Sequence, residues 1–432
     1  MKKILTILCL FFLPALMGLE AQTLPEEWTL NDCISYAIDN NIQVQKSRTA
    51  LLSAREDALQ ARARLLPTVS ASVSQSGSYY PSGSEASVGG NYGLSSSWTL
   101  FDGGRRAQAV RQQELQSEIH LLGIEQSEID LRIAVVQTYL QALYTKEAVG
   151  IALRMTETSA AQLLRAQELL RAGTISRVDL AQLESQHSTN KYQATVAQKN
   201  YDTEMLRLKQ LLELDMATDM RLAESLPTEA DVLRPLPARP LVYAAALASR
   251  PEMKSGQLSI DAARIDIQRA KAGYLPTLSL NAAIGSGYSS GGGTWGAQLE
   301  RSLNGNAGIS LSLPIYSNRD NRTAVNKARY TVTTQELNLR SARKSLLAAV
   351  EGIYLDAASS QTQYMAANER LRYVEESFRL TEEQFFLGMK NTLELLTERN
   401  NLLSAQQEAL QSKYVSIMSI KLLDIYQGLN AP

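Results

Sequence analysis

Four short segments of the chain alternate apolar residues with small polar ones. They lie at about 67–80, 91–101, 276–288 and 307–316. In the first segment, Val69, Ala71 and Val73 take one face and serines take the other. A period of two residues is typical of a strand with one apolar face. The pattern predicts four strands, with Gly/Ser-rich loops at 81–91 and 289–306.

Long stretches outside these segments show a helical period instead. After Arg105, apolar residues recur every three or four positions as far as Leu143, with Gln126 as a polar exception. This heptad spacing is typical of a helix that packs lengthwise against another helix. No proline interrupts 105–172 or 315–431. A single helix over 105–171 would be roughly 100 Å long.

The helical pattern stops twice, at similar short sequences. Residues 171–180 read RAGTISRVDL and residues 386–395 read FLGMKNTLEL. Gly173 and Gly388 occupy the same place in the two segments, and glycine is common at the C′ position that ends a helix. We expect each segment to be a turn between a long helix and a returning one.

The same order of elements occurs twice along the chain. The sequence ARARLLPTVSASVSQSGSY from Ala61 aligns with AKAGYLPTLSLNAAIGSGY from Ala270, a shift of 209 residues. GLSSSWTLFDGGRRAQAV from Gly93 aligns with GISLSLPIYSNRDNRTAV from Gly308, a shift of 215 residues. Such self-similarity predicts repeated structure. The expected domains are a first repeat at 22–214, a proline-containing connector at 215–240 and a second repeat at 241–432.

The first residues have the composition of a secretory signal peptide. Lys2 and Lys3 precede an apolar run at 4–19, and Ala21 supplies the small residue of a cleavage site. We therefore expect residues 1–21 to be removed on export. Cys33 is then the single cysteine, so no internal disulfide can form. No later run approaches ~18 apolar residues, which excludes a transmembrane helix.

Charge and histidine content exclude several functional classes. The formal net charge is −1, so no basic excess indicates nucleic-acid binding. His120 and His187 would lie ~75 Å apart along these helices, and neither belongs to a metal-binding spacing. We predict no catalytic residue, no metal site and no cofactor.

The alternating segments fit either a soluble β-sandwich or strands that cross a membrane. Two observations favour the membrane. The segments are long enough to cross at a tilt (~9–11 residues), and aromatic residues such as Tyr79, Trp98 and Tyr288 lie near their ends. Four strands cannot close a barrel, and open edges in lipid leave backbone groups unpaired. A barrel would therefore require several copies of the chain.

Together these features resemble the TolC family of outer-membrane efflux channels. The resemblance rests on the signal peptide, on LLPT and YLPT before the first strand of each half, on LFDGGRR at 100–106 and on RAGTISRVDLAQLE at 171–184. It covers about residues 28–428. It implies a mixed α and β fold, in which a long helical α-barrel continues a transmembrane β-barrel and each protomer of a homotrimer contributes four strands.

The resemblance also implies a localisation and partners. The trimer would span the outer membrane of a Gram-negative bacterium, contact its lipid and extend into the periplasm. A periplasmic adaptor (membrane fusion) protein would dock at the tip turns, and an inner-membrane pump of the RND or ABC class would deliver substrates. No nucleic acid is involved. The expected docking residues are Gly173, Thr174, Ser176, Gly388, Met389 and Asn391.

In this family, polar links and acidic rings close the periplasmic tip. By position, Asp179, Lys390 and Glu394 would form the periplasmic gate here. Thr397 replaces a second acidic residue, and Phe385 stands in the place of a tyrosine without supplying its hydroxyl. We therefore expect a gate held more by Lys390–Asp179 pairing than by hydrogen bonds.

Two alternative functions remain open. The channel could serve a type I protein secretion system instead of an efflux pump. A structural or adhesive coiled-coil protein of the cell surface would account for the heptads and the export signal, but not for the duplicated strands.

Overall fold

The computed structural model describes residues 25–80, 84–223 and 228–429. The signal peptide expected at 1–21 lies outside them. The elements, in chain order, are α1 Leu30–Asn40, α2 Ile42–Ala63, β1 Thr68–Tyr80, β2 Ser84–Phe101, α3 Arg105–Arg171, α4 Arg177–Leu211, α5 Glu229–Val232, α6 Arg239–Ser249, α7 Pro251–Lys271, β3 Thr277–Ser289, α8 Trp295–Arg301, β4 Asn304–Ser312, α9 Asp320–Phe386 and α10 Thr392–Tyr426.

The two halves of the chain form helical hairpins of equal length. Helices α3 and α9 each contain 67 residues, and the returning helices α4 and α10 each contain 35. Each long helix packs along its own returning helix. At 1.5 Å per residue, each long helix extends roughly 100 Å. None of the described helices is long and apolar enough to cross a membrane.

The four strands form one antiparallel sheet in the order β1-β2-β3-β4. One row of paired residues runs Thr68, Ser97, Asn281 and Gly308 across the sheet. On this polar face, the Ser97 hydroxyl donates to Asn281 Oδ1 at 2.9 Å. The other face is apolar and open to solvent in the single chain. Its exposed residues include Val69, Val73, Leu94, Ile309 and Leu311.

The strand bounds differ from the expected ones at three places. Strand β2 begins at Ser84, so most of the loop expected at 81–91 is strand. The loop expected at 289–306 contains α8 and the first residues of β4, and β4 ends at Ser312. Pairing with β1 and β3 overrides the weak strand propensity of the glycines in β2. Pro314 has no N–H to donate, which suits the early end of β4.

The sheet is attached to the helices by the same contact in both halves. Arg106 Nη1 donates to the carbonyl oxygen of Arg64 at 3.0 Å. Asn321 Nδ2 donates to the carbonyl oxygen of Gly273 at 2.6 Å. Positions 106 and 321 differ by 215, and positions 64 and 273 by 209. Each contact joins the start of a long helix to the chain just before a strand.

The largest core cluster lies where α1, α3, α4 and α10 meet. Trp28 is 1% exposed there, and its ring meets Tyr36 edge-to-face at 5.3 Å. The Trp28 N–H donates to the carbonyl of Arg221 at 2.8 Å, and Leu222 pairs with Trp28 as a parallel bridge. Further along, the Ser416 hydroxyl donates to the carbonyl of Val232. The connector is thus bound to the helical core at 221–222 and again at Val232.

Replacing Trp28 by alanine tests this core. Because the ring is fully buried, we expect Trp28→Ala to lower the free energy of unfolding by about 3–5 kcal/mol. Thermal unfolding in detergent, followed by circular dichroism, measures the change. Leu241→Ala is the control, since that leucine is 67% exposed. An equal melting temperature for both variants would contradict the assignment of Trp28 to the core.

Candidate functional site

Both helical hairpins end in the same glycine turn. Gly173 follows α3 with φ +77°, and Gly388 follows α9 with φ +75°. In the first turn, Thr174 N–H donates to the carbonyl of Leu169 at 2.9 Å; in the second, Met389 N–H donates to the carbonyl of Gln384 at 2.9 Å. These bonds define Schellman turns, in which a glycine takes the left-handed conformation without a Cβ penalty.

The helices that leave these turns begin with capping boxes. The Asp179 N–H donates to Ser176 Oγ at 3.1 Å, and the Ser176 N–H donates back to Asp179 Oδ2 at 3.1 Å. Asn391 and Glu394 make the same reciprocal pair at the start of α10, at 2.9 and 3.1 Å. The two acidic residues expected at the gate therefore also satisfy free N–H groups at helix starts.

One hydrogen bond joins the two hairpins at this end. Thr392 Oγ1 on α10 donates to Asp179 Oδ1 on α4 at 2.7 Å, and Thr392 is 2% exposed. The Ser176 hydroxyl, followed by that of Thr392, holds the pKa of Asp179 below its usual value. The carboxylate is therefore ionised at neutral pH. Its stabilising effect is present above a pH of about 4 and is lost as the pH falls through the lowered pKa.

Within one chain, Lys390 does not meet Asp179. Its Nζ lies 2.5 Å from Glu394 Oε1, one helical turn away, and this contact is the main cause of the lowered pKa of Glu394. Asp179 is already bonded to Ser176 and Thr392. Glu394, four residues after Lys390, is the nearer acidic group. Lys390 and Glu394 therefore pair with each other on the second hairpin.

An apolar cluster surrounds Phe385 behind the turns. Phe385 has no hydroxyl and therefore contributes only packing; its ring lies 5.5 Å from that of Phe386. The guanidinium of Arg165, on α3, lies 4.5 Å from the Phe386 ring centroid. Leu183, Phe378, Leu395 and Leu402 complete the cluster. Residues from all four long helices thus hold the two hairpin ends together.

A second link between the hairpins was not anticipated. Gln162 Nε2 on α3 donates to Glu382 Oε1 on α9. Arg399 on α10 is also buried, and its burial lowers its pKa while the charge of Glu382 raises it. A sequence signal was available, because Gln162 and Arg399 interrupt stripes of buried residues at heptad spacing.

The turns expose different side chains. The six expected docking residues are Gly173, Thr174, Ser176, Gly388, Met389 and Asn391, and all are exposed. In the first turn Thr174 and Ser176 expose hydroxyls and Ile175 packs inward, while Val178 beside the turn is 67% exposed. The second turn exposes Met389, with Leu387 and Leu393 beside it. At equivalent positions the second turn exposes Leu387 and Met389 where the first exposes Ala172 and Thr174, so the second turn is the more apolar of the two.

Along 25–80, 84–223 and 228–429, no group of three or more His, Cys, Asp or Glu side chains could hold a metal ion. His187 is in contact with a neighbouring helix, through Nδ1 and Ser159 Oγ at 2.9 Å.

Comparison with known proteins places the chain in a family. The family described as "Outer membrane efflux protein" matches residues 33–213 and 242–417. The chain belongs to this family. The two matched segments fall one in each repeat, and the gap between them, 214–241, contains the whole connector.

Individual relatives agree with this assignment. Outer membrane efflux protein BepC of Brucella suis is 24% identical over 408 residues, covering 92% of this chain and 84% of BepC. Alkaline protease secretion protein AprF of Pseudomonas aeruginosa is 24% identical over 305 residues, covering 69% of this chain and 62% of AprF. The open-state MtrE outer membrane channel of Neisseria gonorrhoeae has the same fold, with a TM-score of 0.75, 22% identity and coverage of 93% of this chain and 88% of MtrE.

The family assignment confirms the resemblance drawn from the sequence. The chain is an outer-membrane efflux channel protein whose helical part extends into the periplasm. Members of this family are transport channels. In this chain, each glycine turn follows a 67-residue helix that begins beside the sheet.

The link between the hairpins can be tested with Thr392→Val, which keeps the side-chain shape and removes the hydroxyl. We expect a loss of about 0.5–1.5 kcal/mol in local stability, read as faster amide hydrogen exchange at 172–180 and 387–395. Thr397→Val is the matched control, because the Thr397 hydroxyl bonds only to Leu393 in its own helix. Equal exchange in the two variants would contradict the link.

Proposed function

We propose that three copies of this chain form one continuous conduit from the periplasm to the outside. The observation that carries the proposal is a four-stranded sheet with two unpaired edges, β1 and β4, and one exposed apolar face. In lipid, each unpaired backbone group costs several kcal/mol. Joining β4 of one protomer to β1 of the next removes both edges, and a ring of three protomers gives twelve strands.

In this arrangement the polar face of the sheet lines the pore. The hydroxyls of Ser70 and Ser95 lie 2.9 Å apart on that face, and the apolar face contacts lipid. The helical hairpins continue the pore through the periplasm. A periplasmic adaptor and an inner-membrane pump, of the RND or ABC class, deliver substrates at the glycine turns. The protein transports them and catalyses no reaction.

We infer that the gate is at the glycine turns. Asp179, Lys390 and Glu394 lie within one turn of the two helix starts, where three protomers converge. Within one chain, Lys390 binds Glu394; in the trimer it is also the nearest candidate cation for Asp179 of a neighbouring protomer. An exposed ion pair contributes only about 0–1 kcal/mol. The gate would therefore open at a modest energetic cost when an adaptor binds.

The conduit and its gate are tested by recording purified protein in planar lipid bilayers. We expect trimers with discrete single-channel currents. Lys390→Ala should raise the conductance severalfold, because it frees Glu394 and removes the proposed partner of Asp179 in the neighbouring protomer. Arg379→Ala is the control, since Arg379 also pairs with two glutamates but lies within α9.

The bilayer recordings test the conduit and the role of Lys390 in the gate separately. A wild-type protein that is monomeric and carries no current would favour the structural coiled-coil alternative. A conducting trimer whose current is the same with Lys390→Ala would retain the channel and exclude Lys390 from the gate.

The two turns should contribute unequally to adaptor docking. Because the second turn is the more apolar, we expect Met389→Asp to weaken adaptor binding by about tenfold or more, the equivalent of ~1.4 kcal/mol. Thr174→Asp, at the corresponding position of the first turn, should have a smaller effect. Binding of the purified adaptor to immobilised trimers measures both. Equal loss in the two variants would contradict the unequal docking.

Protein secretion is the second candidate function. It is favoured by the similarity to AprF, whose name describes alkaline protease secretion. Co-expression with an efflux pump and adaptor, or with a protein-secreting ABC transporter and its adaptor, distinguishes the two. Restored drug resistance supports efflux, and release of the transporter's protein substrate supports secretion.

A further inference from the structure

Strand β4 is shorter than its counterpart in the first repeat. Under the shift of 215 residues, 299–303 align with 84–88, which form the first part of β2. In the second repeat the aligned residues are instead the end of α8 and the two residues after it. As a result, β4 pairs with β3 only as far as Asn304 opposite Gly285, while β3 continues to Ser289.

The extra length of β3 is paired on one side only. Gly287 and Ser289 lie beside β2, and their other side is where β4 would have continued. There the side chains of α8 and of Ser302 replace the missing strand. Ser302 Oγ accepts from the Gly287 N–H at 2.9 Å and donates to its carbonyl at 2.6 Å. Gln298 Oε1 accepts from the Ser289 N–H at 2.8 Å.

Aromatic contacts join α8, at the edge of β3, to side chains of the apolar face of the sheet. The Trp295 ring lies 6.5 Å from that of Tyr288, edge-to-face, and Tyr288 stacks on Tyr92 at 6.4 Å. Gln75 on β1 bonds to both tyrosine hydroxyls, at 2.9 and 2.6 Å. The helix is therefore held by contacts that extend across three strands of its own protomer.

We propose that α8 is an interaction surface for a second copy of this chain, where it closes the barrel wall between β3 and the first strand of the next protomer. This inference rests on the proposed trimeric barrel. In that barrel β4 lies between β3 and the neighbouring β1, and α8 continues the line of β4 beyond Asn304. The next structure along the wall is then the outer end of β1, where Tyr79 is exposed. The remaining exposed residues of α8 include Glu300 and Arg301, and Arg301 can contact the Tyr79 ring through its guanidinium.

Cross-linking tests this contact in the full-length trimer. In a Cys33→Ala background, Arg301→Cys is combined with Tyr79→Cys and treated with a short bifunctional maleimide. We expect covalent dimers and trimers after boiling in SDS. Each single-cysteine variant, and Arg301→Cys with the exposed but distant Met216→Cys, should remain monomeric. Glu300→Cys with Tyr79→Cys repeats the test one residue away. Links only within one chain, or none from either pair in an intact trimer, overturn the proposal.

A second experiment tests the edge contacts directly. Ser302→Ala leaves the Gly287 N–H and carbonyl without partners, so trimers should dissociate in SDS at a lower temperature than wild type. Ser87→Ala is the matched control: position 87 aligns with 302, and the Ser87 hydroxyl bonds only to that of Ser78. Equal dissociation temperatures for the two variants contradict the role of α8. Wild-type protein that neither trimerises nor conducts would instead refute the proposed function, while conducting trimers that fail both tests refute this inference alone.

Discussion

Backbone hydrogen bonding at the edges of the sheet is the constraint on which the rest of the structure depends. A sheet of four strands has two edges wherever it is placed, and a lipid environment offers no water to satisfy them. Within the described residues, one chain meets part of this requirement itself, where Ser302 and Gln298 bond to the free edge of β3. Elsewhere the requirement can be met only by another copy. The order of the four strands therefore already specifies an assembly.

The helical part of the molecule follows a different rule. The hairpins have wide contacts along their length, and their ends are held by buried side chains of mixed character. Phe385 and Leu395 supply packing, while Thr392 and Gln162 supply hydrogen bonds to Asp179 and Glu382. Polar contacts at an otherwise apolar interface reduce its strength but define its register. The tip therefore combines a buried apolar cluster with polar contacts that fix how the two hairpins lie against each other.

The large elements were predictable from the sequence because their signals are periodic and repeated. Two-residue alternation marked the strands, heptads marked α3 and α9, and the glycines at 173 and 388 marked the turns. Side-chain partners were less predictable. Lys390 was matched with Asp179 through the family resemblance, but within one chain its nearest acidic partner is Glu394, one helical turn away. The helix α8 was missed because seven residues in a Gly/Ser-rich segment have too short a periodic pattern, and the contacts that stabilise α8 come from β3.

The equal lengths of the two hairpins restrict how this protein can change over evolutionary time. Helices α3 and α9 both contain 67 residues, and both returning helices contain 35. An insertion in one long helix would move its turn away from the other turn and break the contact between Thr392 and Asp179. It would have to be accompanied by insertions of the same size in the other three helices. Lengthening or shortening of the periplasmic part is therefore expected only as four coordinated changes, and single insertions should accumulate in the connector and at the strand ends instead.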